Sequence, residues 1–176
     1  SKNLPVFVIE LAPYLYADTS KSFKIRQAQY DVSTQIENTY YIGTNDLIDS
    51  TEYTVIHPAN KHDLGKRCAT MATNTIYSKN VICASHPSIG HVSKVPEGFL
   101  LTLKNTCDSI EFENKFIGFE LYDGVKTIQP RVILQPDKQS FLLTTDNKAI
   151  LDNIKSITYC YRNCFQGNVR NNKHLP

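Results

Sequence analysis

From Gly98 to Phe165 the sequence reads GFLLTLKNTCDSIEFENKFIGFELYDGVKTIQPRVILQPDKQSFLLTTDNKAILDNIKSITYCYRNCF. Short apolar or alternating runs are separated there by Asn, Asp, Gly and Pro, the pattern of an antiparallel sheet with one buried face. Phe99, Leu101 and Leu103 share one parity, as do Ile117, Phe119 and Leu121, so each set is predicted to point inward along its strand. Ile110 and Phe112 enter a strand between them. Asp123-Gly124 is the strongest turn signal, since Gly supplies a positive φ without strain, and residues 125–134 read as the returning strand. Pro130 inside that strand has no N–H for a ladder, which predicts an edge position or a bulge. Ser140 to Thr145 and the set Ile157, Tyr159 and Tyr161 supply further strands, with Asp146 capping a short turn through Leu151. About six strands at this spacing are what a sandwich or barrel uses.

The remainder of the chain extends that reading. Ile (16), Thr (15) and Val (10) far outnumber Ala (8), which favours strands over helices. Residues 6–9 are apolar on both faces and predict a buried strand. Phe23, Ile25 and Gln27 alternate with Lys24, Arg26 and Ala28 and predict a half-exposed strand. Residues 39–42, 53–56, 76–77 and 81–84 are short strand candidates. Asp63 is placed to cap a short helix through about Ala72, with Leu64, Cys68 and Met71 or Ala72 on one side. His86 to Glu97 holds Pro87, Gly90 and Pro96 and reads as a long surface loop. The expected fold class is all-β: an antiparallel β-sandwich or jelly roll with one or two short helices. The 176 residues are read as one domain, 1–176, ending in a polar C-terminal tail, 166–176.

Charge and hydropathy exclude little but lean one way. Lys and Arg number 19 against 17 Asp and Glu, a net charge of +2, too small to imply bulk neutralisation of nucleic acid. Lys21, Lys24 and Arg26, then Lys66 and Arg67, then Arg170 and Lys173 are the basic candidates for nucleic-acid or partner contacts. Tyr14, Tyr16, Tyr40 and Tyr41 are available beside them as stacking platforms. No apolar run reaches the ~20 residues of a membrane span, and no charged, apolar, small-residue series at the start reads as a signal peptide.

Residues that carry chemistry are sparse. Five cysteines, Cys68, Cys83, Cys107, Cys160 and Cys164, cannot all pair within one chain. Cys160 and Cys164, four apart, are the candidate disulfide, and buried free thiols are the plainer reading of the rest. None of the 14 Asn lies in an N-x-Ser/Thr sequon. Cys83, His86 and His91 in CASHPSIGH, with His57 and His62 in HPANKH, form the one group of metal donors, but their spacings are not those of zinc sites. No metal or other cofactor is therefore expected. A Cys83–His86 nucleophile pair lacks any visible third group. Phosphate-binding, dinucleotide-binding, zinc-protease and nucleophile-elbow motifs are missing. The carboxylate pairs Glu111/Glu113 and Asp46/Asp49 read as solvated faces rather than acid–base dyads.

These residues lead to the expectation of a non-enzymatic structural protein that self-assembles, a virion coat (capsid) or matrix-type subunit, in the virion or host-cell cytoplasm. Its homo-oligomer contacts would run through the chain ends and the sheet edge carrying Pro130. The alternative is a secreted or surface immunoglobulin-like binding module. A small enzyme using the 83–91 loop is the third reading. Fold alone does not separate them.

Overall fold

A computed structural model of the chain describes residues 4–17, 20–77, 83–111, 115–165 and 167–176. By internal packing it divides into two compact units, one of Ser1–His86, Tyr161–Gln166 and Leu175–Pro176, the other of Pro87–Cys160 and Gly167–His174.

The first unit runs β1 (Val6–Ile9), α1 (Ser22–Gln35), β2 (Thr39–Ile42), a 3-10 turn (Ser50–Glu52) and α2 (Lys61–Thr75). β1 and β2 pair in parallel, Val6 with Thr39 through Ile9 with Ile42. Parallel neighbours need a crossover long enough to return the chain, and α1 provides it. The half-exposed strand expected over 23–28 is therefore wrong: those residues lie in α1. Its buried face carries Ser22 and Arg26 while Ile25 is 55% exposed, so the face turned to the core is polar and does not announce the helix. Lys21 gives α1 no side-chain cap. Asn163 does that work instead, accepting from the Ser22 N–H at 3.0 Å and donating to the Ser20 carbonyl at 2.8 Å. α2 is capped by Asn60, whose Oδ1 accepts from Asp63 N–H at 3.1 Å, so Asp63 sits one turn inside the helix it was expected to cap. Ile42, Met71 and Ala84 form this unit's apolar core, with Phe7, Tyr40, Leu64 and Cys68 packed on it. Residues 53–56 and 76–77 are not strands; of the 81–84 candidate, 81 and 82 lie outside the described residues.

The second unit is antiparallel throughout the pairings it shows. Its strands are β3 (Ser88–Val95), β4 (Gly98–Lys104), β5 (Ile110–Glu111), β6 (Phe119–Tyr122), β7 (Thr127–Ile128), β8 (Arg131–Leu134), β9 (Ser140–Thr144), β10 (Ser156–Tyr159) and β11 (Arg170–Asn171). They order as β3-β4-β9-β8, β10-β6-β7 and β11-β5. The expected loop over 86–97 is mostly strand β3, because Pro87 and Pro96 bracket the run and Gly90 falls at its one register shift, between Ile89 and His91. Gly98, at φ 154°, lies where a β-carbon would strike the Leu143 carbonyl, so β4 and β9 can meet there only through glycine. Asp123-Gly124 does turn the chain, with Asp123 Oδ1 accepting from the N–H groups of Val125 and Lys126, both at 2.8 Å. The returning strand is not continuous: it breaks at Gln129-Pro130, so β7 pairs with β6 while β8 pairs with β9.

Phe119 and Leu121, expected to face inward, are buried in a core with Leu101, Phe141 and Leu143. The segment Lys148–Asn153 is a 3-10 turn capped by Asn147 rather than Asp146. The tail is held by its own chain: β11 pairs with β5 and Val169 is buried in the second unit's core. Phe112 and Glu113, and Gln166 at the start of that tail, lie outside the described residues. The chain is β-rich, with few helices and several antiparallel sheets. Among the described residues no helix is long and apolar enough to cross a membrane.

Candidate functional site

The carboxyl ends of β1 and β2 open into two loops, described over residues 10–17 and 43–60. In parallel arrangements such ends are where ligands are held. Under these loops lies a set of buried charges. Glu10, the residue after β1, accepts from Thr44 N–H at 2.6 Å and from the Tyr41 hydroxyl, with Arg26 Nε at 3.7 Å. Burial pushes the Glu10 carboxyl above the usual carboxylate range, against the pull of its hydrogen bonds and of Arg26. Burial, then the charge of Glu10, pushes the Tyr41 phenol up as well. Arg26 spends its remaining donors on the carbonyls of Arg162 and Asn163.

A second buried group fixes the turn after β2. Arg67 of α2 donates to both carboxylate oxygens of Asp46 and to the Gly43 carbonyl, each at 2.8 Å. His86 Nε2 accepts from Gly43 N–H at 3.1 Å, which leaves the proton on Nδ1, 3.2 Å from the Pro176 carbonyl oxygen. Burial and the nearby Arg67 charge pull the His86 pKa down to about 4, so the ring is neutral at pH 7. Gly43 lets the ring approach: a β-carbon there would stand 3.3 Å from His86 Nδ1.

On this base the 43–60 loop presents His57. Glu52 closes the loop, its Oε1 accepting from Ala59 N–H at 2.9 Å and its Oε2 from Asp49 N–H at 3.2 Å. Asp49 accepts in return from Thr51 N–H, the reciprocal arrangement of a capping box. Leu15 N–H donates to the Tyr53 carbonyl at 2.7 Å, tying the loop after β1 to the loop after β2. Pro58 is buried and His57 beside it is exposed. The other histidines are placed differently. His62 pairs with Asp63 at 3.5 Å in the first turn of α2, His91 stands exposed on β3, and His174 meets Glu111 at 2.9 Å. His57 is thus the histidine held at the strand ends with its ring in solvent. An imidazole so held is equipped for proton transfer.

The residues singled out in the sequence separate into groups. Lys21, Lys24, Lys66 and Lys173 are exposed, with Lys66 3.6 Å from Asp63. Arg26 and Arg67 are not surface cations: both are buried in ion pairs, because α1 and α2 turn them onto Glu10 and Asp46. Arg170 lies on β11 opposite Glu111. The Cys160–Cys164 disulfide is corrected: both are free thiols, as is Cys68, while Cys83 and Cys107 are disulfide-bonded. Cys160 ends β10 at φ 51°, in a turn rather than an extended strand end. Cys83 is consequently neither a thiolate ligand nor a nucleophile, and both ring nitrogens of His86 are engaged, so this pair does not present a metal or nucleophilic site. Glu10 and Glu52 are not among the residues the sequence singles out, and Tyr41, expected as a stacking platform, instead meets the buried Glu10. Each is a polar residue whose partner lies far along the chain, or in a loop without periodicity.

No protein-family model matches the chain, and none of the curated proteins does. Its fold is similar to a solved structure, the crystal structure of a novel carbohydrate acetylesterase from Xanthomonas citri, at a TM-score of 0.83 and 19% sequence identity. The likeness covers 98% of this chain and 39% of that one, so the chain spans well under half the length of the acetylesterase. At this identity the likeness is one of fold. It overturns the expectation of a non-enzymatic coat or matrix subunit of a virion, and with it the immunoglobulin-like alternative, because the architecture matched from end to end is that of a hydrolase structure.

Proposed function

We propose that this chain is part of an enzyme that hydrolyses acetyl esters on carbohydrate. The observation that carries the reading is the match of 98% of the chain to the carbohydrate acetylesterase fold. The placement of His57 at the carboxyl ends of parallel strands supports it. Ester hydrolysis needs a base that takes the proton from the attacking oxygen and returns it to the departing sugar oxygen. His57 is the group of this chain with the exposure and position for that work. The buried pairs Glu10–Arg26 and Asp46–Arg67 act beneath it by fixing the two loops, not by touching substrate. The attacking oxygen is not assigned to a residue of this chain.

A sandwich or jelly-roll arrangement of the antiparallel sheets belongs to the same proposal. It is supported by Phe119 of β6 and Phe141 of β9, whose rings lie 5.5 Å apart in one core although their strands belong to different sheets.

The test is acetate release from an O-acetylated oligosaccharide by the protein purified at the length its cell makes, beside its His57→Gln variant. The expected loss in kcat is about 10²–10⁴-fold with the circular dichroism unchanged. Equal turnover by the variant removes His57 from the mechanism. No acetate release by the wild-type protein overturns the acetylesterase reading.

A further inference from the structure

β1 has a partner on one side and an edge on the other. Val6 and Glu10 donate their N–H groups to the carbonyls of Asn38 and Ile42 along β2. Strand geometry then turns the backbone groups of Phe7, Ile9 and Leu11 away from β2. Two of these outward groups are already met. The Gln29 side chain donates to the Ile9 carbonyl at 3.0 Å and accepts from Leu11 N–H at 2.9 Å. One amide spanning the C=O of residue i and the N–H of i+2 is the pattern a residue of a parallel neighbouring strand makes. Gln29 thus occupies one position of a strand that no other element among the described residues of this unit supplies. The Phe7 carbonyl and the Ile9 N–H are the next pair along the same edge, and among the described residues no strand is paired with them.

A second observation lies on α1. Ile25, Val32 and Ile36 are 55%, 41% and 57% exposed. Ile25, Gln29 and Val32 fall at spacings of four and three, which places all three on one stripe of the helix, and Ile36 follows as its C-cap. Because Gln29 reaches the outer edge of β1, this apolar stripe flanks that edge. Val6 and Ile9 on β1 are exposed as well, at 53% and 44%. Parallel sheets are ordinarily covered, and an open apolar edge invites pairing.

We propose that the outer edge of β1 and the Ile25–Val32 stripe of α1 together receive a further strand–helix unit, its strand parallel to β1 and its helix laid on the stripe. The occupant is polypeptide of a longer form of this protein. The acetylesterase of like fold carries most of its length beyond the part matched here. The register is set: the incoming strand bonds the Phe7 carbonyl and Ile9 N–H and ends where Gln29 takes over. Nothing in this depends on the proposed activity.

The test follows the Ile9 amide by hydrogen exchange in the 176-residue chain, with and without a short Val/Ile peptide carrying lysine ends. In the monomeric chain Ile9 N–H should exchange freely while Val8 N–H is protected by β2. Peptide should slow Ile9 by roughly tenfold or more without changing residues on β2. Ile9→Pro removes the outward N–H and leaves the β2 ladder intact, so the variant should keep its circular dichroism and no longer bind a fluorescently labelled form of the peptide that the wild type binds. Val32→Lys should keep the fold and suppress binding of an apolar dye to the stripe. Protection of Ile9 in the monomer without peptide, no response to peptide, or pairing of Ile9 edges between two copies of the chain would each overturn the proposal.

Discussion

Arg67 and Asp46 meet through two parallel hydrogen bonds of 2.8 Å each, with side chains 8% and 2% exposed. A pair so buried recovers its desolvation cost only while both charges are present. Arg67→Met is therefore expected to lower stability by about 3–5 kcal/mol in urea unfolding, since it strands the Asp46 carboxylate. The double variant Arg67→Met, Asp46→Leu should recover most of that loss. A single variant that unfolds with the wild type would show that solvent reaches Asp46.

His86 gives the first unit an acid limit. Its folded pKa of about 4 lies below the ordinary 6.5, so its contribution is complete above 6.5 and is lost as pH falls through that window. The loss amounts to about 3 kcal/mol by pH 4. Glu10 has the opposite sign: its raised pKa favours the folded state at low pH and that advantage fades as pH rises. Subtracting the stability curve of His86→Gln from that of the wild type isolates the histidine. A difference that stays flat between pH 6.5 and 4 would mean that His86 is charged in the fold.

Three free thiols and two bonded cysteines have a direct signature. Alkylation in denaturant without reductant should add three labels, at Cys68, Cys160 and Cys164, and five after reduction. Five labels before reduction would mean that Cys83 and Cys107 are not bonded.

What could be read in advance divides along a physical line. Phe119, Leu121, Leu101 and Leu103 were legible because a half-buried strand writes its inner face at every second residue. α1 was not, because the face it buries is Ser22 and Arg26. Their partners, Asn163 and Glu10, are set by the fold and leave no spacing in the sequence. β3 was masked by prolines that turned out to flank it. His57 is visible in HPANKH as a metal donor, and nothing in its spacing points to proton transfer. Its position at the ends of two parallel strands emerged once α1 was a crossover rather than a strand.

Pro130 has a consequence for how the chain behaves when it is not folded. Residues 125–134 hold Val125, Ile128, Val132, Ile133 and Leu134, an apolar density that stacks readily into intermolecular ladders. The missing N–H at Pro130 interrupts such a ladder at its centre, and Arg131 follows it with a charge. The break that separates β7 from β8 in the fold is thus placed to act as a gatekeeper in the unfolded chain. Replacing Pro130 with a residue that carries an N–H is expected to speed fibril formation by the unfolded chain.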